Sequence, residues 1–152
     1  MKETLIAYYS LTGTTKTLAG KIHKHFPDSD LFEITVSDDV YPTDMYEIAD
    51  VDERIKQKKT WPKISQLPDV QQYTKIIIGG PVWGDNVPSP IISFLNEIQN
   101  YQGNIDEFHT DVGQIRHYED NFRRYLGNLK VDAFFDANSD SLDYWFEQQT
   151  AR

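Results

Sequence analysis

Two loops hold residue types that could do chemistry. The first, Ser10-Leu11-Thr12-Gly13-Thr14-Thr15, crowds four hydroxyls and a glycine into six positions. It follows an apolar run and opens a helical pattern. Backbone N–H groups at a helix N-terminus make an anion site, and hydroxyl donors reinforce it. Gly13 permits a tight turn around a ligand. Neither Gly-Lys-Ser/Thr nor Gly-x-Gly-x-x-Gly occurs here, so nucleoside-triphosphate and dinucleotide loops are excluded. What remains is a neutral cradle for one phosphate, with an N-cap at Thr12 or Thr14 as the plainer reading. The second loop, Gly79-Gly80-Pro81-Val82-Trp83-Gly84-Asp85-Asn86-Val87-Pro88, carries Trp83 at a glycine-flanked tip. A planar aromatic partner explains such a tryptophan, because stacking adds roughly 0.5–1.5 kcal/mol beyond area burial. Packing under the adjoining loop is the plainer alternative.

Other constellations are thinner. His23 and His25 lie two apart on a helix, point to different faces and cannot share a metal. His109 and His117 flank the segment Thr110-Asp111-Val112-Gly113 and are expected at the surface. Asp38-Asp39 and Asp136 with Asp140 read as turn or cap residues. The chain has no cysteine, which removes disulfides, thiolate nucleophiles and iron–sulfur ligation. A redox role would need a borrowed cofactor.

The elements that position the loops follow from apolar periodicity. Five runs read as strands: Thr4 to Tyr8, Leu31 to Val36, Lys75 to Gly79, Ile105 to His109 and Lys130 to Phe135. Leu5-Ile6-Ala7-Tyr8 and Ile76-Ile77-Ile78 are continuously apolar, as central strands of a doubly covered parallel sheet are. The fourth run is the weakest, interrupted by Asp106, Glu107 and His109. Leu18, Ile22 and Phe26 mark a helix stopped by Pro27. A second helix is expected near Thr43 to Lys58. Ser89 before Pro90 reads as an N-cap, followed by the apolar face Ile91, Ile92, Leu95 and Ile98. Phe122, Tyr125 and Leu126 precede Gly127 as a stop, and Leu142, Trp145 and Phe146 outline a last helix with a core face. Strand–helix alternation predicts a three-layer α/β doubly wound sandwich with a five-stranded parallel sheet in the order 2-1-3-4-5. A ligand then sits where strand order reverses, between the first and third strands, where the two loops lie.

The 152 residues make one domain, 1–152. Fifteen basic and 24 acidic side chains give a net charge of −9. Such a chain repels phosphate backbones, so nucleic acid is not an expected partner. No apolar run is long enough to span a bilayer and the N-terminus has no signal-peptide pattern, so no membrane association and a cytoplasmic location are expected.

Taken together, Tyr8-Tyr9-Ser10-Leu11-Thr12-Gly13-Thr14-Thr15 and Gly80-Pro81-Val82-Trp83-Gly84 resemble the short-chain flavodoxins and the bacterial flavodoxin-like family. Asp44-Met45-Tyr46, Trp61-Pro62-Lys63-Ile64 and Pro88-Ser89-Pro90 leading into Phe94-Leu95 extend the resemblance across nearly the whole chain. The resemblance implies an FMN cofactor and electron transfer. By position, Ser10, Leu11, Thr12, Gly13, Thr14 and Thr15 would surround the FMN phosphate. Pro81, Val82, Trp83, Gly84 and Asp85 would line the isoalloxazine, with Trp83 stacking on it. Thr110, Asp111, Val112 and Gly113 would form a third loop along its other edge, with Tyr118 a further candidate there. The chain departs from the family's pattern in having Thr14 where asparagine is usual, Val82 where relatives often carry tryptophan, and a glycine-poor third loop bearing Asp111.

The implied job is shuttling electrons between redox partner proteins with basic docking surfaces, as a monomer. Two alternatives stand beside it: an NAD(P)H-dependent FMN-containing reductase acting on a quinone or similar acceptor, and a flavin-free interaction module of the same fold. No catalytic nucleophile or base is required. Gly84 is expected where a peptide can turn its carbonyl toward a protonated flavin N5.

Overall fold

The structure, a computed structural model, describes residues 3–110, 115–137 and 142–151. Five strands alternate with five helices: β1 (Thr4–Tyr8), α1 (Thr14–His25), β2 (Ser29–Glu33), α2 (Met45–Lys58), β3 (Lys75–Pro81), α3 (Ser89–Glu97), β4 (Asn104–Thr110), α4 (Tyr118–Arg124), β5 (Val131–Asp136) and α5 (Leu142–Ala151). All strand pairs are parallel and the order is β2-β1-β3-β4-β5, as the sequence predicts.

The period-two alternation of side chains divides the core. Leu5, Ala7, Ile76, Ile78 and Ile105 face Ile48 of α2, Ile91, Phe94 and Leu95 of α3, and Tyr118 and Phe122 of α4. Ile6, Tyr8, Ile77, Phe108 and Phe135 face Ala19 and Ile22 of α1 and Trp145 of α5. Ile76, Ile77 and Ile78 are all fully buried, and each such side chain contributes roughly 1.5–3 kcal/mol relative to exposure. The unbroken run is therefore what a strand covered on both faces requires. At the end of β3 a Cβ on Gly79 would lie 1.9 Å from the Phe108 ring, so only a glycine lets that ring cross the strand.

Three expectations shift. The second strand begins at Ser29 rather than Leu31, because β2 is the edge strand and its register is set by pairing with β1, Thr4 opposite Ser29. Ile34 lies past its end, yet its amide still donates to the Tyr8 carbonyl at 2.7 Å. The fourth strand accommodates its polar residues by pairing them: Asp106 binds Lys75 Nζ at 2.8 Å, and Glu107 binds His109 Nδ1 at 2.8 Å.

Ser89 is not an N-cap; Pro88 occupies that position without a side-chain bond. The cap comes from elsewhere in the chain. Asp52 of α2 is 1% exposed, and its two carboxylate oxygens accept from the Ser89 amide at 3.3 and 3.2 Å. Tyr41 Oη donates to Asp52 at 2.6 Å and Lys56 closes the ion pair. A buried carboxylate persists only when so partnered.

Candidate functional site: a cavity at the strand-order reversal

A cavity of about 710 Å³ opens at the carboxyl ends of the strands, within the size range of small-molecule sites. One side is the first loop. Ser10, Leu11, Thr12, Thr14 and Thr15 line it, whereas Gly13 forms the turn beneath. Gly13 is the N-cap of α1 at φ 99°, a left-handed conformation that disfavours any side chain. It brings no side-chain oxygen, so the amides of the first helical turn are not capped by their own loop. This differs from a simple threonine cap at Thr12 or Thr14. Ser10 Oγ accepts from the Gly13 amide at 3.1 Å, and Thr17 Oγ1 donates to the Gly13 carbonyl at 3.0 Å. Thr15 Oγ1 and Thr110 Oγ1 share a hydrogen bond of 3.1 Å, which joins the end of β4 to the start of α1.

The opposite side is the second loop. Pro81, Val82, Trp83 and Gly84 line the cavity; Asp85 does not. Trp83 is packed under its neighbours and still faces the cavity. It lines the cavity, and it packs edge-on against Tyr9 and Tyr41 with ring centroids 5.6 and 5.2 Å away. Its backbone pairs with Asn86 in both directions at 3.1 Å. The two residues between, Gly84 and Asp85, have φ of 60° and 59°, the signature of a type I′ hairpin turn. Asp85 points elsewhere: its carboxylate accepts from the amides of Arg116 and His117 at 2.9 and 2.7 Å.

Thr110 lines the cavity, whereas Asp111, Val112 and Gly113 lie outside the described residues, as does Asp140. Tyr118 is fully buried and does not reach the cavity; its hydroxyl donates to Glu107 at 2.7 Å. His109 is 5% exposed rather than a surface residue, held between Glu107 and the Tyr118 ring at 4.6 Å. Positions 107 and 109 share one face of β4, so the pairing follows from strand periodicity. Burial pushes the Glu107 carboxyl above its usual value, while the bonds from His109 and Tyr118 offset part of that rise.

Other lining residues were not anticipated. Met45, Ile48 and Ala49 bring α2 to the cavity, and Thr17, Leu18 and Lys21 extend it along α1. Spacing alone suggests one face for Met45, Ile48 and Ala49, but not that this face reaches the ends of β1 and β3. No group of acidic or histidine residues able to hold a metal occurs among the described residues. None of their helices is long and apolar enough to cross a membrane.

The Flavodoxin family model matches residues 3–148. A flavoprotein from Lactobacillus acidophilus, solved in complex with FMN, is 34% identical, with a TM-score of 0.86 over 95% of this chain and 99% of that one. The apo form of the L. acidophilus flavoprotein, solved by NMR, aligns with a TM-score of 0.76 at 34% identity, over 96% of this chain and 97% of that one. A short-chain flavodoxin associated with a bacterial microcompartment shares the fold at 12% identity and a TM-score of 0.51, over the full length of both chains. No curated protein matches. The chain belongs to the flavodoxin family.

Proposed function

We propose that this member of the flavodoxin family binds FMN in the cavity between its first two loops and carries electrons between partner proteins. One observation carries the reading. The glycine-capped N-terminus of α1, free of acidic residues in its first turn, and the indole of Trp83 open into the same cavity, which suits a phosphate joined to a planar ring. FMN supplies the electron chemistry when bound, and the chain binds and orients it.

Ser10, Thr12, Thr14, Thr15 and the first-turn amides of α1 hold the phosphate. These donors are neutral and meet the phosphate through hydrogen bonds and the helix dipole. Thr14 retains its backbone donor even though the amide side chain usual in the family is absent. Pro81, Val82, Trp83 and Gly84 form the wall against the ring. Gly84, at the head of the turn, is where a peptide would turn its carbonyl toward a protonated flavin N5. The third loop, from Thr110 through Asp111 and Val112 to Gly113, would take the remaining edge.

The rim of the cavity favours a docking role. Leu11, Met45 and Tyr46 are 43, 69 and 93% exposed, beside a chain whose net charge of −9 attracts basic surfaces at low salt. A cytoplasmic monomer exchanging electrons with basic partners fits this surface.

The test is a visible spectrum of the purified protein, followed by titration of the flavin-free form with FMN under flavin fluorescence. Tight quenching is expected, together with no oxidation of added NADPH until a partner protein is supplied. Absence of quenching would overturn the cofactor. NADPH oxidation without a partner would make the protein a reductase.

A further inference from the structure

We infer that Asp85 is a positioning residue, which holds the Trp83–Asn86 hairpin in place as the wall of the ring end without itself touching the cavity. The inference rests on the FMN reading above. Three observations carry it. Within the ribbon itself two backbone bonds join Trp83 and Asn86, and a two-residue ribbon that short does not hold its own position in water. Asp85 supplies what is missing: its carboxylate takes the amides of Arg116 and His117 at 2.9 and 2.7 Å, and its carbonyl takes Asn121 Nδ2 at 2.9 Å. Finally, Asp85 keeps a φ of 59°, which a non-glycine residue adopts at a cost and retains when its surroundings fix it.

The hairpin is anchored at two places. At one end the Val82 amide donates to the Thr110 carbonyl at 3.0 Å. At the other, Asp85 grips the backbone just before α4. The hairpin is thereby hydrogen-bonded both to the end of β4 and to the residues just before α4. The carboxylate is also taken up by the two amides just before α4, so the acidic residue nearest Trp83 in the chain does not line the cavity.

Asp85→Gly is the informative variant, because glycine keeps the positive φ and the turn while deleting the carboxylate. Asp85→Asn keeps the size with a weaker acceptor. Each is titrated with FMN and with riboflavin, which lacks the phosphate, and hydrogen exchange is followed in the flavin-free protein. Asp85→Gly is expected to lose about tenfold in affinity for both flavins, as loss of a charge-assisted hydrogen bond would give. The FMN-to-riboflavin ratio stays constant, and Asp85→Asn falls between the two. Exchange at Arg116 and His117 should rise about tenfold while β1 and β3 amides keep their protection. Unchanged affinity for both flavins despite faster exchange at 116 and 117 would reduce the tie to packing and overturn the inference. A loss confined to FMN would overturn it too, by placing Asp85 at the phosphate end. Faster exchange in β1 and β3 as well, in both variants, would make the effect global and likewise end it. Wild-type protein that binds neither flavin would instead defeat the FMN reading itself.

Discussion

The two ends of the cavity are built in opposite ways. The end proposed to hold the phosphate is one contiguous segment, Ser10 to Thr15, whose shape is set by Gly13 and whose donors are largely its own backbone and hydroxyls. The end proposed to face the ring is assembled from distant segments: Trp83 leans on Tyr9 and Tyr41, and its hairpin is tied through Asp85 to the residues before α4 and to Asn121 within it. A local cradle depends on backbone conformation. An assembled wall depends on side chains that other elements must deliver.

Trp83→Ala should separate the two ends most strongly. It removes the stacking surface and loosens the packing of Tyr9 and Tyr41, for a loss of about 2 kcal/mol, roughly thirtyfold, in binding. FMN and riboflavin titrations should weaken equally. A loss for FMN alone would place the indole at the phosphate end and collapse the contrast. Gly13→Ala should do the reverse. A Cβ there meets no atom within 4 Å, so its whole effect is the cost of a left-handed φ, about 1–2 kcal/mol. FMN affinity is expected to fall about tenfold while riboflavin binding stays within twofold; equal losses would show that the cradle is not local.

A smaller effect concerns β4, where the Glu107 carboxyl is buried between His109 and Tyr118. Burial holds the folded-state pKa of Glu107 above the usual 4.5. The stability linked to its protonated form is complete below that value and is lost as pH rises through the folded pKa, because the folded state then binds more protons than the unfolded one. Urea unfolding from pH 4 to 8 should show wild type losing stability relative to Glu107→Gln as pH climbs. Parallel curves would mean that Glu107 titrates alike in both states.

The same contrast governs what could be read in the chain. Strand order and the first loop were legible because their causes are local: continuous apolar runs, helical spacing and a hydroxyl-rich turn with glycine. The start of β2 was misplaced because an edge strand's register depends on its partner. Ser89 looked like a cap because its type and its proline neighbour fit, yet the oxygen serving that helix belongs to Asp52, 37 positions earlier. Asp85 adjoined residues that line the cavity, and only the fold reveals that its carboxylate turns toward α4. His109 was expected at the surface because nothing in its neighbourhood announces Tyr118 as its cover. Local chemistry was visible; the partners supplied from a distance were not.

The carboxylate of Asp52 also bears on the order of assembly. An α3 that formed before α2 had docked would leave the Ser89 amide without its acceptor, and an α2 that docked alone would bury a charge with only Lys56 and Tyr41 beside it. Neither intermediate is favourable, so the two helices should open and close as one cooperative unit, with a shared opening free energy for amides in both.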